Sequence, residues 1–516
     1  MTIDPRSLSH GVTAAPALRR ARRGGWAALV RAGAVAALVG VTALAGTPPP
    51  ALAQGPDRTR PPAPGPAPSL TLPAIQKRQL SNGVPVWIVE LHEVPVVQVN
   101  LVFRRGTASD PAGKYGIASL TAAMLTEGAG TRSTLELADA IDFLGADLGA
   151  AAGIDSTAIR LHAPVARLPE ALPLMADVAL RPTFPAEELE RQRQQRLTSL
   201  LQARDDPATI GALAFSRVLY GPTHRYGTAT MGTAATIRAF SVADLEAFYA
   251  EAYRPDSATL LVVGDVTPDG VMPLLERHFG GWKAAGPAPR PTALPTVPQH
   301  ATRTVYIVDK PGAPQTQVRI GWIGVPRSTP DYFPLQVMNT VLGGAFSSRL
   351  NLNLREEHGY SYGAGSSFDM RASAGPFAAA AGVQSDKTKE SLQEFFNELN
   401  GILQPVPEEE LARAKNYVTM RFPAGFETTG DISRRLEEVL TYGLPDDYFS
   451  NYVQSIQAVT QADVQRVARK YIDPSKLAVV VVGDAKAIAP GIASLKLGPS
   501  KTLTLDGIFD GPAPVK

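Results

Sequence analysis

YRPDSATLLVVGDV at residues 253–266 and YIDPSKLAVVVVGDA at residues 471–485 are two versions of one segment. Pro255 and Pro474 stand 219 positions apart, and Gly264-Asp265 and Gly483-Asp484 keep the same spacing. Residues 260–263 form an apolar run too short for a helix and closed by Gly-Asp, which reads as a buried strand. Working outward, Ala243-Asp244, ahead of a helical stretch, matches Ala462-Asp463. Pro95, Gln98 and Val99 in HEVPVVQVNLVF (92–103) match Pro314, Gln317 and Val318 in GAPQTQVRIGWI (312–323), again 219 apart. A register held over this distance implies a duplicated unit, two domains of one fold.

Each copy reads as α+β. Alternation at Val86 and Ile88 and at Val97, Val99 and Leu101 predicts strands, and Asn82-Gly83 predicts a hairpin turn. Ile117, Leu120, Met124 and Leu125 carry helical spacing, and Phe184-Pro185 opens a long polar helix to about residue 204. The expected architecture is two homologous domains, each a mixed or antiparallel sheet with helices packed on one face, together forming a clamshell.

At 516 residues the chain exceeds what one hydrophobic core organises. Its 44% hydrophobic and 19% charged residues exclude a wholly disordered chain. Fifty basic against 48 acidic side chains leave no charge excess that would recruit nucleic acid. The absence of cysteine excludes disulfide scaffolds, zinc-thiolate and iron–sulfur sites, and cysteine nucleophiles. Seven histidines are scattered, the nearest two being His278 and His300, so no pair has helical metal-ligand spacing.

Arg19, Arg20, Arg22 and Arg23, an apolar stretch interrupted by Arg31, and Ala51-Leu52-Ala53 after Pro48 to Pro50 have the form of an export signal over 1–53. The apolar run beyond Arg31 is shorter than the ~20 residues a membrane span requires. Removing 1–53 takes six arginines and Asp4, leaving 44 basic and 47 acidic side chains. The expectation is a periplasmic protein with no stable membrane span after cleavage. A Pro-rich leader covers 54–73, the first domain 74–283, a Pro-rich linker 284–301, the second domain 302–500 and a tail 501–516. The segment 286–298 is expected to act as a pivot that lets the halves open and close on an extended peptide, bound by strand addition at a sheet edge.

These features resemble the insulinase/pitrilysin-type metallopeptidase family, in its processing-peptidase branch. The resemblance is carried by RRGTASDPAGKYGIASLTAAMLTEGAGTRS (104–133), RPTFPAEELERQRQ (181–194), the segment at 253–266, and GGAFSSRLNLNLREEHGYSYGA (343–364). It covers about 74–490. Active members carry an inverted zinc motif, H-x-x-E-H, on the helix after the Gly-rich turn, and a further Glu on the long helix as third ligand. The corresponding positions here are Ser119, Ala122 and Ala123, and residues 191–204 contain no Asp or Glu. Spacing of i, i+3, i+4 keeps one helix face, but alanine has no donor atom and serine is a poor zinc ligand. The resemblance therefore implies no metal on this chain and no catalysis by it alone. Ser119 as a nucleophile lacks a visible base.

Members also carry an Arg and a Tyr from the second domain that hold the substrate carbonyl. LREEHGYSYG supplies Arg355 and, seven residues on, Tyr362, with Tyr360 the competing assignment. The resemblance gives Arg355 and Tyr362 a substrate-binding role; the structural alternative is Arg355 paired with Glu356 or Glu357 and Tyr362 as a half-buried strand residue. Gly343 and Gly344 open the family's Gly-rich loop and allow either close approach of a peptide or a tight helix-to-loop turn. Glu408, Glu409 and Glu410 after Pro407 read as a helix N-terminus. The implied function is the non-catalytic subunit of a periplasmic heterodimeric zinc peptidase, its zinc held by a homologous partner chain. The alternative is a stand-alone peptide-binding or envelope assembly protein on the same fold.

Overall fold

A computed structural model describes residues 65–66, 72–284, 286–287 and 293–510. The export signal at 1–53 and most of the leader at 54–73 lie outside the described residues. In the first half, β1 (Gln76–Gln79), β2 (Pro85–Glu90), β3 (Val96–Phe103), a two-residue hairpin of β4 (Gly128–Ala129) and β5 (Arg132–Ser133), β6 (Asp147–Ala152), β7 (Thr157–Pro164) and β8 (Ala258–Gly264) follow in order. The second half contributes β9 (Thr304–Asp309), β10 (Gln315–Ile323), β11 (Ser361–Phe368), β12 (Pro376–Gln384), β13 (Ala478–Gly483) and β14 (Ser500–Leu503).

Two six-stranded mixed sheets result, ordered β1-β2-β8-β3-β7-β6 and β14-β9-β13-β10-β12-β11. Their registers carry the duplication. Val262 faces Val99 on one side and Ile88 on the other; 219 residues later Val481 faces Val318 and Ile307. The repeated Ala-Asp dipeptides also have a physical cause. Asp244 and Asp463 each sit at the third position of a helix and close a capping box with Ser241 and Thr460.

The unbroken apolar runs in β8 and β13 follow from burial on both faces. Leu260 and Val262 enter the core of the first half, while Leu261 and Val263 point to the opposite face. There they meet Ile432 and Leu436 on the helix Thr429–Tyr442, which belongs to the second half. The exchange is mutual: Ile210, Ala214 and Phe215 on the helix Pro207–Tyr220 cover Val480 and Val482 of the second sheet. Helices thus pack on one face of each sheet from its own half, and the other face receives a helix from its twin.

This exchange corrects the expected pivot. Parting the halves would strip Val89, Val102, Leu261, Val263, Ile432 and Leu436 of cover. At about 1.5–3 kcal/mol per buried aliphatic side chain, that costs on the order of 10 kcal/mol. The described end of segment 286–298, residues 293–298, is packed down: Leu294 and Val297 lie beside the exchanged helix Pro207–Tyr220, and the Pro295 carbonyl lies 3.2 Å from His224 Nε2. The tail at 501–516 is also corrected up to residue 510. β14 pairs in parallel with β9, and Thr504 caps a short helix, Leu505–Phe509, whose Ile508 and Phe509 are buried. No described helix is long and apolar enough to cross a membrane.

Candidate functional site

Ser119, Ala122 and Ala123 share one face of the helix Ile117–Met124, which packs near the free edge strand β6. The helix start is fixed by Asp110, whose carboxylate accepts the backbone N–H groups of Gly116 at 2.6 Å and Ala118 at 3.0 Å. Burial pushes Asp110 up to about 6, against the pull of these amides and of Arg225.

Opposite lies the long helix, Ala186–Ala203. Its Arg196 extends to the motif face, donating from Nη1 to Ser119 Oγ at 2.8 Å and from Nη2 to the Ser119 carbonyl at 2.9 Å. Arg196 Nε is enclosed with no acceptor. Burial pulls its pKa down to about 10, and no carboxylate opposes that. A zinc ion does not fit these residues. Two alanines offer no lone pair, Ser119 is already engaged, and a guanidinium stands against the same face. Among the described residues no group of three or more His, Asp or Glu side chains is arranged to hold a metal. The lack of Asp and Glu over 191–204 is plain in the sequence, whereas the place of Arg196 is not. Its signal was available: at i±3 and i±4 stand Gln192, Arg193, Ser199 and Leu200, so it has no acid within a helical turn.

In the second half, Arg355 sits on a π-helical turn, Leu352–Glu357, a conformation that recurs at functional sites. Its guanidinium lies 4.7 Å from the ring centre of Phe346, and its Nε is 3.3 Å from Glu356. The anticipated Arg–Glu neighbour pair therefore exists, but on side chains 41% and 47% exposed it is weak. Tyr362 is the second residue of β11, the free edge of the second sheet, and is 89% exposed. It is not a half-buried strand residue. Tyr360 stacks on His358 at 5.0 Å and packs against the core. Phe346 is 59% exposed, so the surface around Arg355 has an aromatic wall.

Gly343 and Gly344 have structural work. A Cβ on Gly343 would stand 2.3 Å from the Ser366 backbone nitrogen, and one on Gly344 2.8 Å from Asn339 Nδ2. Gly343 is buried against β11, so the close approach it permits is to its own chain, which corrects the peptide-facing reading of this residue. Glu410 anchors Arg349 through two hydrogen bonds, at 2.8 and 2.6 Å, consistent with a structural helix start at Glu408, Glu409 and Glu410. Among the described residues no hydrogen bond, ion pair or ring contact joins Arg355 or Tyr362 to Ser119, Ala122 or Ala123.

A duplicated sheet-and-helix clamshell with an emptied motif helix and an exposed Arg and Tyr on its second half has the architecture of a metallopeptidase that has lost its metal ligands. Residues 86–216 match the Insulinase (Peptidase family M16) description and residues 239–418 the Peptidase M16 inactive domain. The chain belongs to the insulinase family. It is 27% identical over 398 residues to an uncharacterized zinc protease of Mycobacterium tuberculosis (strain ATCC 25618 / H37Rv), covering 77% of this chain and 90% of that one. A solved peptidase M16 inactive domain from Pseudomonas fluorescens superposes with a TM-score of 0.74 at 28% identity, over 79% of this chain and 98% of that one. The periplasmic protease PqqL of Escherichia coli shares the fold at 17% identity and a TM-score of 0.69, over 82% of this chain and 49% of that one.

Proposed function

We propose that this chain is the non-catalytic subunit of a heterodimeric zinc peptidase of the periplasm. It carries no zinc itself; a homologous partner chain with an intact motif holds the metal and the general base. The observation that carries the reading is the split between the two halves: the motif face presents Ser119, Ala122, Ala123 and a guanidinium, whereas Arg355 and Tyr362 remain exposed at a free sheet edge.

This chain's part is hydrogen-bond donation. Arg355 offers a planar, permanently charged donor and Tyr362 a phenol O–H, both suited to a peptide carbonyl whose oxygen gains negative charge. Neither touches the motif face of its own chain, so the pair acts on a peptide held by the partner. Phe346 stacked under Arg355 limits the directions in which the guanidinium can point. The export-signal pattern at 1–53 supports the compartment, and one protein of this fold, PqqL, is a periplasmic protease.

The test is co-expression with a family member from the same genome that retains H-x-x-E-H. Co-purification and peptide hydrolysis by the pair, with none by this chain alone, is the expected result. A chain that purifies alone, binds peptides and leaves the partner's activity unchanged would instead be a stand-alone binding protein.

A further inference from the structure

Four arginines on the long helix and its cap can be compared directly. Arg191 pairs with Glu127 and Glu188, Arg193 with Glu190, and Arg204 with Asp506 and Asp510. Among the described residues Arg196 has no carboxylate partner; it hydrogen-bonds the neutral Ser119 alone. A guanidinium has five N–H donors. Two are taken by Ser119, and Nε is enclosed without an acceptor. Withdrawing a cation from water without a counter-charge is unfavourable, and such groups cluster where a ligand completes them.

Ser119, Ala123 and Arg196 are each only half-buried, so the position opens to solvent. Ala123 presents a methyl group that does not compete for the guanidinium, and Ala122 is fully buried behind it in the helix. Carboxylate is the group whose two oxygens match the guanidinium fork.

We propose that Arg196, held by Ser119, forms a carboxylate-binding site on the motif face, which receives the free C-terminus or an acidic side chain of a peptide. The proposal rests on the reading that this chain takes part in binding the peptide, and it gives the motif face a recognition role. Ser119 is a positioning residue: its Oγ and carbonyl hold the guanidinium plane, and the charge does the binding.

The test uses the purified chain without a partner, titrated calorimetrically with three N-acetylated, alanine-rich nonapeptides. One has a free C-terminal carboxylate, one a C-terminal amide, and one a C-terminal amide with a single internal Glu. Wild type should bind at least one carboxylate peptide about tenfold or more tighter than the neutral amide, as one charge-assisted contact implies. Which of the two is preferred tells a C-terminus from an acidic side chain. Arg196→Met should abolish the preference, and Arg196→Lys should keep part of it. Equal affinity of wild type for all three peptides, no binding of any, or a preference that survives Arg196→Met would each overturn the proposal. The wild-type comparison stands even if the methionine variant does not fold. Because no partner or turnover enters, failure here is distinct from failure of the heterodimer, which is read from Arg355 and Tyr362.

Discussion

Replacing Glu437 with alanine should loosen the lock between the halves. Glu437 projects from the exchanged helix Thr429–Tyr442 onto the outer face of the first sheet. It accepts from Asn100 Nδ2 at 2.7 Å, Arg160 Nε at 3.0 Å and Arg160 Nη2 at 2.6 Å. Asn100 is 1% exposed, so Glu437→Ala leaves a buried donor unpaired, at about 1–3 kcal/mol. The Arg160 side chain is 40% exposed and can rehydrate, so its share is discounted to about 1 kcal/mol. The expected loss is about 3 kcal/mol, read as a lower urea midpoint at unchanged slope. Glu437→Ala and Arg160→Ala should couple by about 1 kcal/mol in a double-mutant cycle. Arg434, one turn away, pairs among the described residues with Asp431 alone and is 69% exposed, so Arg434→Ala should cost under about 0.5 kcal/mol. Glu437→Ala within about 0.5 kcal/mol of wild type would refute the claim that exchanged helices hold the halves together.

Asp110 titrates near 6 in the folded protein, above the ordinary carboxylate value of 3.8. Its contribution to stability is therefore full below about pH 4 and is lost as pH rises through 6, a decline of up to about 3 kcal/mol; urea midpoints against pH should show this decline in wild type and not in Asp110→Asn. Phe509→Ala should destabilise by about 3 kcal/mol, because the ring is 4% exposed in a segment that sequence alone reads as tail; a calorimetric melt unchanged from wild type would return 501–510 to a loose end. Restoring the motif with Ser119→His, Ala122→Glu and Ala123→His should still give no stoichiometric zinc after dialysis, because Arg196 faces the same helix turn and no acidic third ligand is present. About one zinc per chain by elemental analysis would contradict this.

The duplication was legible because strand pairing ties each β-residue to its partners: a constant 219-residue offset in sequence becomes the same offset in register, as at Val262 and Val481. The exchange of helices was not legible. An amphipathic helix such as Thr429–Tyr442 shows which of its faces is apolar, but not which of two similar sheets that face covers. Its trace lay in β8 and β13, whose unbroken apolar runs already required a second covering layer. The segment 286–298 reads as linker because proline dominates it, and the packing of its described end is marked in the sequence by Leu294 and Val297. The emptied motif was plain from Ser119, Ala122 and Ala123, since a lost donor atom is visible in a letter. Arg196 is harder to see, because arginine is common on a polar helix and its own signal is the lack of any acid one turn away.

Turnover of the assembled pair tests the central claim most directly. Wild type and the Arg355→Ala and Tyr362→Phe variants of this chain are compared at matched occupancy with a partner retaining H-x-x-E-H, with Tyr360→Phe as the control. Removing one donor to a developing oxyanion typically slows turnover on the order of a hundred- to a thousandfold. The account predicts a loss of roughly that size for Arg355→Ala and Tyr362→Phe, with complex formation intact and Tyr360→Phe close to wild type. Undiminished turnover in both variants would contradict it and leave Arg355 and Tyr362 as ordinary surface residues of a peptide-binding protein.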